Sequence, residues 1–192
     1  MKNTLSIHQP SFFPWYPFFQ KIESSEAFVF LTHCQFEKNG YQNRFDIDRK
    51  WYTMSTKRGL IPINQKHYIN PENDWIFIKK KLSSKYNLES LSQFDDCFSS
   101  SLSETNINII KKVCSLLKIT TNLVLDYETS LRSTDRLVDI CLKNNCDVYL
   151  SGIGGKNYLD EKKFKKEGID VMYQKEIEMI KKPILEYLSE NL

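Results

Sequence analysis

The last third of the chain alternates between short apolar runs and amphipathic runs of ten or more residues, and this alternation constrains the fold most. The runs TTNLVLDY, DVYLSG and IDVMYQ predict strands, whereas STDRLVDICLKNN, YLDEKKFKKEG and EIEMIKKPILEYLSE predict helices. Strands that alternate with helices of this length form crossover units on a parallel sheet. Gly168 should end the second of these helices, and Pro183 should bend or split the third.

The N-terminal segment predicts two more strands, over residues 4–7 and in AFVFL (27–31). The loop between them carries Pro10, Pro14 and Pro17, so a helix can begin only at about Pro17 and should cover 18–23.

The middle of the chain predicts a hairpin over 44–56 and then a helical segment at about 73–118. In its first helix Trp75, Ile78 and Leu82 share one face, with Asn73 or Asp74 as the expected cap. Ser101 and Glu104 have capping-box spacing ahead of another helix. The sequence therefore predicts one α/β domain over 1–192: a mostly parallel sheet flanked by helices, with a helical middle segment.

Composition and charge exclude several classes of protein. The 192 residues include 27 basic and 24 acidic ones, and this balance is not typical of a nucleic-acid binder. No apolar run approaches the roughly 20 residues of a membrane span. The five cysteines form no CxxC pair and no signal peptide is recognisable, which predicts a reducing cytoplasm. The three histidines lack metal-ligand spacing, so no metal site is predicted.

Two unusual loops should follow strands of the parallel sheet, HQPSFFPWYP after the first and SGIGGKNYL after a late one. Ligands of open parallel sheets bind outside the carboxyl ends of the strands, so both loops are candidate site segments that should meet at one edge. His8 suits proton transfer near neutral pH, and Gln9 offers both a donor and an acceptor. The alternative for His8 is a packing role in an aromatic loop.

The glycine loop would approach a ligand closely through Gly152, Gly154 and Gly155. If it opens a helix, its N–H groups favour an anion, and Lys156 would add a charge. It matches neither the Walker pattern nor GxGxxG. A plain turn between strand and helix is the alternative.

A third candidate stretch is CQFEKNGYQNRFDI (34–47), which interleaves aromatic residues with Gln35, Lys38, Gln42, Asn43 and Arg44. Alternation would put Gln42 and Arg44 on one side of a strand, where the arginine could clamp a carboxylate or phosphate. A solvated edge strand explains the same pattern.

Four segments in this order resemble the WbqC-like protein family: IHQPSFFPWYPFFQKI, FVFL, CQFEKNGYQNRFDI and YLSGIGGKNYLDEKKFKKEGIDVMY. The resemblance implies a role in making bacterial O-antigen or another surface polysaccharide. Where the family usually has an acidic residue after the second strand, this chain has Thr32 and His33, so a catalytic or metal-binding aspartate would be lost unless His33 replaces it. The family pattern also continues past the last strand in a segment that differs from ILEYLSENL. The positions that match family motifs are His8, Gln9, Pro10, Lys21, Gln35, Lys38, Gln42, Asn43, Arg44, Ser151, Gly152, Gly155 and Tyr158.

Together these features predict a transferase that acts on a nucleotide-linked sugar or amino sugar by acyl or aminoacyl transfer. His8 would move a proton, and the other matched positions except Pro10, together with Gly154, would bind the substrate. A nucleotidyltransferase-like enzyme is one alternative, although its HxGH histidine pair is missing. A non-catalytic binding or scaffold protein is the other. The cofactor, the sugar, the donor and the oligomeric state stay open.

Overall fold

The structure is a computed structural model that describes residues 2–191. Its chain forms two compact units. The first contains the residues up to His8, 17–31 and 119–180, and the second contains 9–16, 32–118 and the residues from Lys181 onward. In chain order the strands and α-helices are β1 (Thr4–His8), α1 (Tyr16–Glu23), β2 (Ala27–Phe30), β3 (Arg44–Ile47), β4 (Lys50–Thr53), α2 (Pro71–Leu82), α3 (Leu88–Ser92), α4 (Leu102–Leu116), β5 (Asn122–Leu125), α5 (Ser133–Lys143), β6 (Val148–Ser151), α6 (Glu161–Lys166), β7 (Asp170–Tyr173) and α7 (Ile184–Asn191). Short 3-10 helices cover Ile63–Gln65, Asp95–Cys97, Ile153–Asn157 and Glu176–Glu178.

A five-stranded sheet forms the centre of the first unit, and all of its strand pairs are parallel. The strand order is β5-β2-β1-β6-β7. Because crossover helices cover the faces of such a sheet, consecutive residues of its central strands are buried, as in β2 and β6. The predicted α/β class with a mostly parallel sheet is confirmed.

The strand order reverses between β1 and β6, which are neighbours in space although about 140 residues separate them in the sequence. Ser6 lies opposite Leu150, so the carboxyl ends of the two strands share one edge of the sheet. In doubly wound sheets this reversal is the point where the flanking loops diverge and leave a crevice for a ligand. The fold therefore places the ends of the two strands that precede the unusual loops beside each other at the switch point.

The core of the first unit packs the apolar residues of the strands against α5 and α6. The Tyr149 and Phe164 rings stack there with their centroids 5.1 Å apart. Gly168, with φ of +75°, ends the turn after α6, as predicted. The buried residues of this core are Leu5, Ile7, Val29, Leu137, Val138, Ile140, Cys141, Cys146, Tyr149, Phe164 and Ile169.

The second unit contains the predicted hairpin, in which β3 and β4 pair antiparallel. Asp48 and Arg49 connect the strands with φ of 53° and 63°. Two consecutive residues with positive φ make a turn whose twist matches that of the strands. The helices of this unit are α2, α3, α4 and α7, and they include the predicted helical middle segment.

An aromatic cluster fills the second unit and includes two residues of the proline-rich loop. Phe13 stacks on Trp75 with centroids 5.3 Å apart and also meets Phe45 and Phe94. Phe12 contacts Phe45 at 5.5 Å. Aromatic pairs in such offset and edge-on geometries add to the stability that burial provides. Much of the aromatic crowding of the loop is therefore explained by packing.

Local details differ from the sequence predictions at three places. The cap of α2 is Asn70, not Asn73 or Asp74, because Pro71 takes the first helical position, where it needs no N–H partner. Within the predicted helical middle segment, LESLSQFDDCFSS forms only the short helix α3 and a 3-10 turn. The glycine loop forms its own 3-10 helix, and α6 begins later with Asp160 as its cap.

Candidate functional site

His8 is the last residue of β1 and is exposed at the carboxyl edge of the sheet. Its ring meets the Phe18 ring edge-on, with centroids 5.2 Å apart and planes at 84°. Its backbone oxygen accepts a hydrogen bond of 2.8 Å from Leu31 N. The strand and the aromatic contact thus fix the backbone and restrict the imidazole, which stays open to solvent.

Lys21 lies directly behind this strand end, in the interior of the first unit. Only 3% of the residue is exposed, and its Nζ lies 3.5 Å from the carbonyl oxygen of Ile7 and 5.7 Å from the centre of the Phe28 ring. Burial lowers the pKa of its ammonium group to about 7. The structure therefore places the amine of this predicted binding residue beside Ile7, the residue before His8, but away from the surface.

A buried pair of serines lies at the carboxyl end of α1, near the backbone of the same lysine. The Oγ atoms of Ser6 and Ser25 are 2.5 Å apart, and Ser25 Oγ also donates to Lys21 O at 2.9 Å. These bonds tie the end of α1 to β1. They fix the helix from which the lysine side chain extends.

The glycine loop follows β6 as a 3-10 helix over Ile153–Asn157. At Gly155 the reason for glycine is space, because an added Cβ would lie 2.1 Å from Ser151 Oγ and 3.0 Å from Leu159 Cδ1. At Gly154 an added Cβ would meet nothing within 4 Å. Since neither residue has a positive φ, the loop is shaped by the close approach of Ser151 rather than by left-handed backbone.

Two other predicted residues of this loop differ in exposure. Ser151 is buried, and its hydroxyl donates to Gly152 O at 3.1 Å. Tyr158 is 64% exposed. The loop does not open α6, so the expected array of helix N–H groups for an anion is not formed by an α-helix here. At the sheet edge the glycine loop instead forms a close-packed backbone turn that follows β6, the neighbour of β1.

A buried ion pair at the same edge of the sheet was not predicted from the sequence. Asp126 follows the last residue of β5 and pairs with Arg136 of α5, and both side chains are almost fully buried. An acidic residue near the carboxyl end of a predicted parallel strand was the available signal. The arginine could not be assigned as its partner from the sequence, because α5 offers several polar positions.

In the second unit, Gln9, Gln35 and Lys38 line one open concavity of about 570 Å³. Three of the predicted site residues are thus brought together. Glu37 also lines this cavity but was not predicted, although it precedes Lys38 in the sequence. The rest of the lining comes from Cys34, Phe36 and Leu60.

Gln42 does not line the cavity but supports it from the interior. Its Nε2 donates to Gln9 Oε1 at 2.5 Å. Its backbone oxygen accepts from Asn106 Nδ2 at 2.7 Å, and the same amide nitrogen donates to Pro10 O at 2.9 Å. Tyr68 completes the network by donating from its hydroxyl to Asn106 Oδ1 at 2.9 Å. A fully buried amide thus holds the two chain segments that carry Gln9 and Gln42.

Arg44 and Asn43 hold backbone and do not line the cavity. The guanidinium of Arg44 donates to Asn39 O and lies 4.0 Å from the centre of the Trp51 ring. Asn43 Nδ2 donates to Met54 O at 2.8 Å, which extends the hairpin by one bond. Arg44 is the first residue of β3 and Gln42 precedes the strand, so alternation within a strand does not relate the two.

Thr32 and His33 occupy the position where an acidic residue was expected. Thr32 is buried in the second unit, and its Oγ1 lies 3.4 Å from His33 Nδ1. The backbone oxygen of Thr32 accepts from Asn64 N at 2.9 Å. The same two chain segments stay hydrogen-bonded as far as the cavity, where Phe36 N donates to Ile61 O at 2.9 Å.

Within residues 2–191, no group of three or more His, Cys, Asp or Glu side chains is arranged to hold a metal ion. None of the helices formed by those residues has the length and apolarity needed to cross a bilayer. All five cysteines carry free thiols.

A comparison with models of protein families identifies the family of this chain. The sequence model of the WbqC-like protein family matches residues 9–181. A protein of Mycobacterium tuberculosis (strain ATCC 25618 / H37Rv), named uncharacterized protein Rv1507c, is 24% identical over 187 residues, covering 88% of this chain and 80% of the relative. No solved structure matches the chain.

Proposed function

Because the chain belongs to the WbqC-like protein family, we propose that it is a transferase acting on a nucleotide-linked sugar or amino sugar in the synthesis of a bacterial surface polysaccharide. One observation carries the proposal: His8 and the Ser151–Gly155 turn leave neighbouring parallel strands at the point where the strand order reverses. This is where doubly wound sheets bind nucleotides. The five free thiols support a reducing cytoplasm as its location.

In this proposal the substrate lies over the carboxyl ends of β1 and β6. The backbone of Gly152 and Gly154 allows a close approach, because nothing lies within 4 Å of an added Cβ at Gly154 and only Gln174 Oε1, at 3.8 Å, would meet one at Gly152. Ser151 sets the shape of this turn from the interior. Tyr158, which is exposed, can pack against a sugar or base.

His8 takes the proton that the acceptor loses. When an acyl or aminoacyl group moves to an amino sugar, the new C–N bond forms, the bond to the leaving group breaks, and the attacking amine releases a proton. An exposed imidazole, restricted by its edge contact with Phe18, suits this task. Lys21 is buried and would act on His8 only through Ile7 and the Phe18 ring, which makes it a positioning residue.

The test compares His8→Ala with His67→Ala, a half-buried histidine of the second unit. A panel of nucleotides and sugar nucleotides is first screened by thermal shift, since a ligand of the folded state raises the melting temperature. We expect a sugar nucleotide to stabilise both variants like the parent. Turnover should fall by about 100-fold or more in His8→Ala alone, the typical size of a lost acid–base group.

The proposal fails if no sugar nucleotide stabilises the protein, or if His8→Ala turns over the substrate as fast as His67→Ala does. Capture of a partner protein without any bound sugar nucleotide would support the scaffold alternative.

The same strand order also favours nucleotidyl transfer as a second candidate, because such sheets hold a mononucleotide at the switch point. The sequence around His8 is His-Gln-Pro-Ser, which lacks the second histidine of the HxGH pair. Release of pyrophosphate from a nucleoside triphosphate separates the two functions. We expect none.

A further inference from the structure

We propose that the concavity of the second unit is a binding site for a free α-amino acid, whose carboxylate is bound by Lys38 and whose ammonium group is bound by Glu37. The cavity of about 570 Å³ lies within the size range of small-molecule sites. This proposal depends on the second unit alone and not on the transferase activity proposed for the sheet edge.

The two charges at the cavity are available to a ligand. Glu37 and Lys38 are both exposed, and neither side chain forms an ion pair with another residue in the described range 2–191. A carboxylate only accepts hydrogen bonds and an ammonium group only donates them. A cavity that offers one of each therefore matches a ligand that carries both charges with their signs reversed.

The turn that carries both charged residues is held in one conformation. Gly40 N donates to Glu37 O at 3.0 Å, and Asn39 adopts a φ of 66°. At Gly40 an added Cβ would lie 2.5 Å from Gln42 Oε1 and 3.0 Å from Glu37 Cβ, so a larger residue would displace the Gln42 side chain. Arg44 holds the carbonyl of Asn39 from the other side. A fixed turn loses little freedom when a small ligand binds.

Two amides add hydrogen-bonding groups of both kinds to the cavity. Gln9 is held there by the bond from Gln42, and Gln35 is exposed beside Phe36. Primary amides can accept from an ammonium group and donate to a carboxylate. They therefore complement either end of an amino acid.

A second cation lies beneath the cavity and strengthens its hold on a carboxylate. The Nζ of Lys66 is 4.5 Å from the centre of the Phe36 ring and donates to Lys57 O and Gly59 O. Its nearest recorded partners are neutral, so its charge adds to that of Lys38. A sugar without charges would leave Glu37 and Lys38 without partners, and a nucleoside diphosphate would be repelled by Glu37.

The experiment screens the standard protein amino acids by thermal shift and measures the best by calorimetry. For that amino acid, two analogues are added: the carboxylic acid without the amino group and the amine without the carboxyl group. The variants are Lys38→Gln and Glu37→Gln. Lys80→Gln and Glu89→Gln, two exposed changes elsewhere in the second unit, are the matched controls.

We expect an amino acid to raise the melting temperature of the parent and of both controls. Loss of one charge-assisted hydrogen bond should weaken binding by about 10- to 100-fold in Lys38→Gln and in Glu37→Gln. For the analogue without the amino group, only Lys38→Gln should weaken binding further. For the analogue without the carboxyl group, only Glu37→Gln should weaken binding further.

The proposal is overturned if no amino acid stabilises the protein at millimolar concentration, or if both charge variants bind as the controls do. It is also overturned if Lys38→Gln weakens a sugar nucleotide while leaving amino acids unaffected. Because His8→Ala does not alter the cavity lining, its result is independent of this one, and the two proposals can fail separately.

Discussion

Each unit of the protein buries one lysine, but the surroundings of the two amines are opposite. Lys66 of the second unit donates to two carbonyl oxygens, Lys57 O and, at 2.7 Å, Gly59 O. Lys21 of the first unit has one recorded acceptor, Ile7 O, at the outer limit of 3.5 Å, and two aromatic rings about it. Both residues are no more than 3% exposed.

The difference shows that burial alone does not tell what a lysine does. A buried polar group costs stability unless hydrogen bonds compensate for lost water. Lys66 has such bonds and fixes the loop over 57–66, so its burial stabilises the fold. Lys21 is poorly compensated, lies behind His8, and lowers the stability of the sheet unit. Such uncompensated groups are found at functional sites more often than elsewhere.

The largest effect should come from Lys21→Met. A pKa lowered to about 7 means that the unfolded chain binds the proton more tightly than the folded one. Protonated Lys21 therefore destabilises the fold at and below pH 7, by about 4 kcal/mol judged from the size of the pKa shift. Removing the amine should raise the free energy of unfolding at pH 7 by up to that amount, as urea titration measures.

The same variant has a pH signature. In the parent, the stability should rise between pH 7 and pH 9, because in that window the folded state releases a proton that the unfolded state keeps. In Lys21→Met this rise should be smaller. Equal slopes in both proteins would show that Lys21 is not buried as described, and the contrast with Lys66 would disappear.

Lys66→Met should act in the opposite direction. It leaves two carbonyl oxygens without their donor, and the free energy of unfolding should fall by about 3 kcal/mol. Lys57→Met, at an exposed position of the same loop, is the control and should change the stability little. If Lys66→Met were as stable as this control, the hydrogen bonds of Lys66 would not stabilise the fold, and the contrast with Lys21 would be lost.

The smallest effect tests how tightly the sheet edge is packed. Gly155→Ala forces the buried Ser151 hydroxyl to move and should cost about 2 kcal/mol, as overpacking does. Gly154→Ala, one residue away, meets open space and should be neutral or slightly stabilising. Circular dichroism melts of the pair measure the difference, and equal melting temperatures would mean that the turn is not held by Ser151.

Local chemistry made much of the fold predictable from the sequence. Ser101 caps α4 by accepting from Glu104 N at 3.3 Å, as the capping-box spacing indicates. Pro183 directly precedes α7 and accepts from Tyr187 N at 3.0 Å, whereas the predicted helix before it is limited to the 3-10 turn over Glu176–Glu178. Trp75, Ile78 and Leu82 are buried on one face of α2. Each of these features depends on residues a few positions apart.

The features that escaped prediction depend on distant pairs. Nothing in the sequence around Lys21 distinguishes it from a surface lysine, because its burial follows from the way α1 packs on β1 and β2. The pairing of Asp126 with Arg136, and the support that Asn106 gives to Pro10 and Gln42, need the three-dimensional fold. The stacking of Arg44 on Trp51 is likewise a contact across strands. Because the sequence does not reveal this contact, it favours a ligand as the partner of the arginine.

The buried amide of Asn106 holds the backbone of the cavity in shape, whereas other residues line the cavity and would contact a ligand. It fixes the carbonyls of Pro10 and Gln42 from a helix that contributes nothing to the lining. The side chains at positions 9, 35, 37 and 38 can therefore vary while the backbone beneath them stays in place. Relatives with different residues there would be expected to keep this architecture and change their ligand, and the same positions are the natural ones to randomise when engineering selectivity.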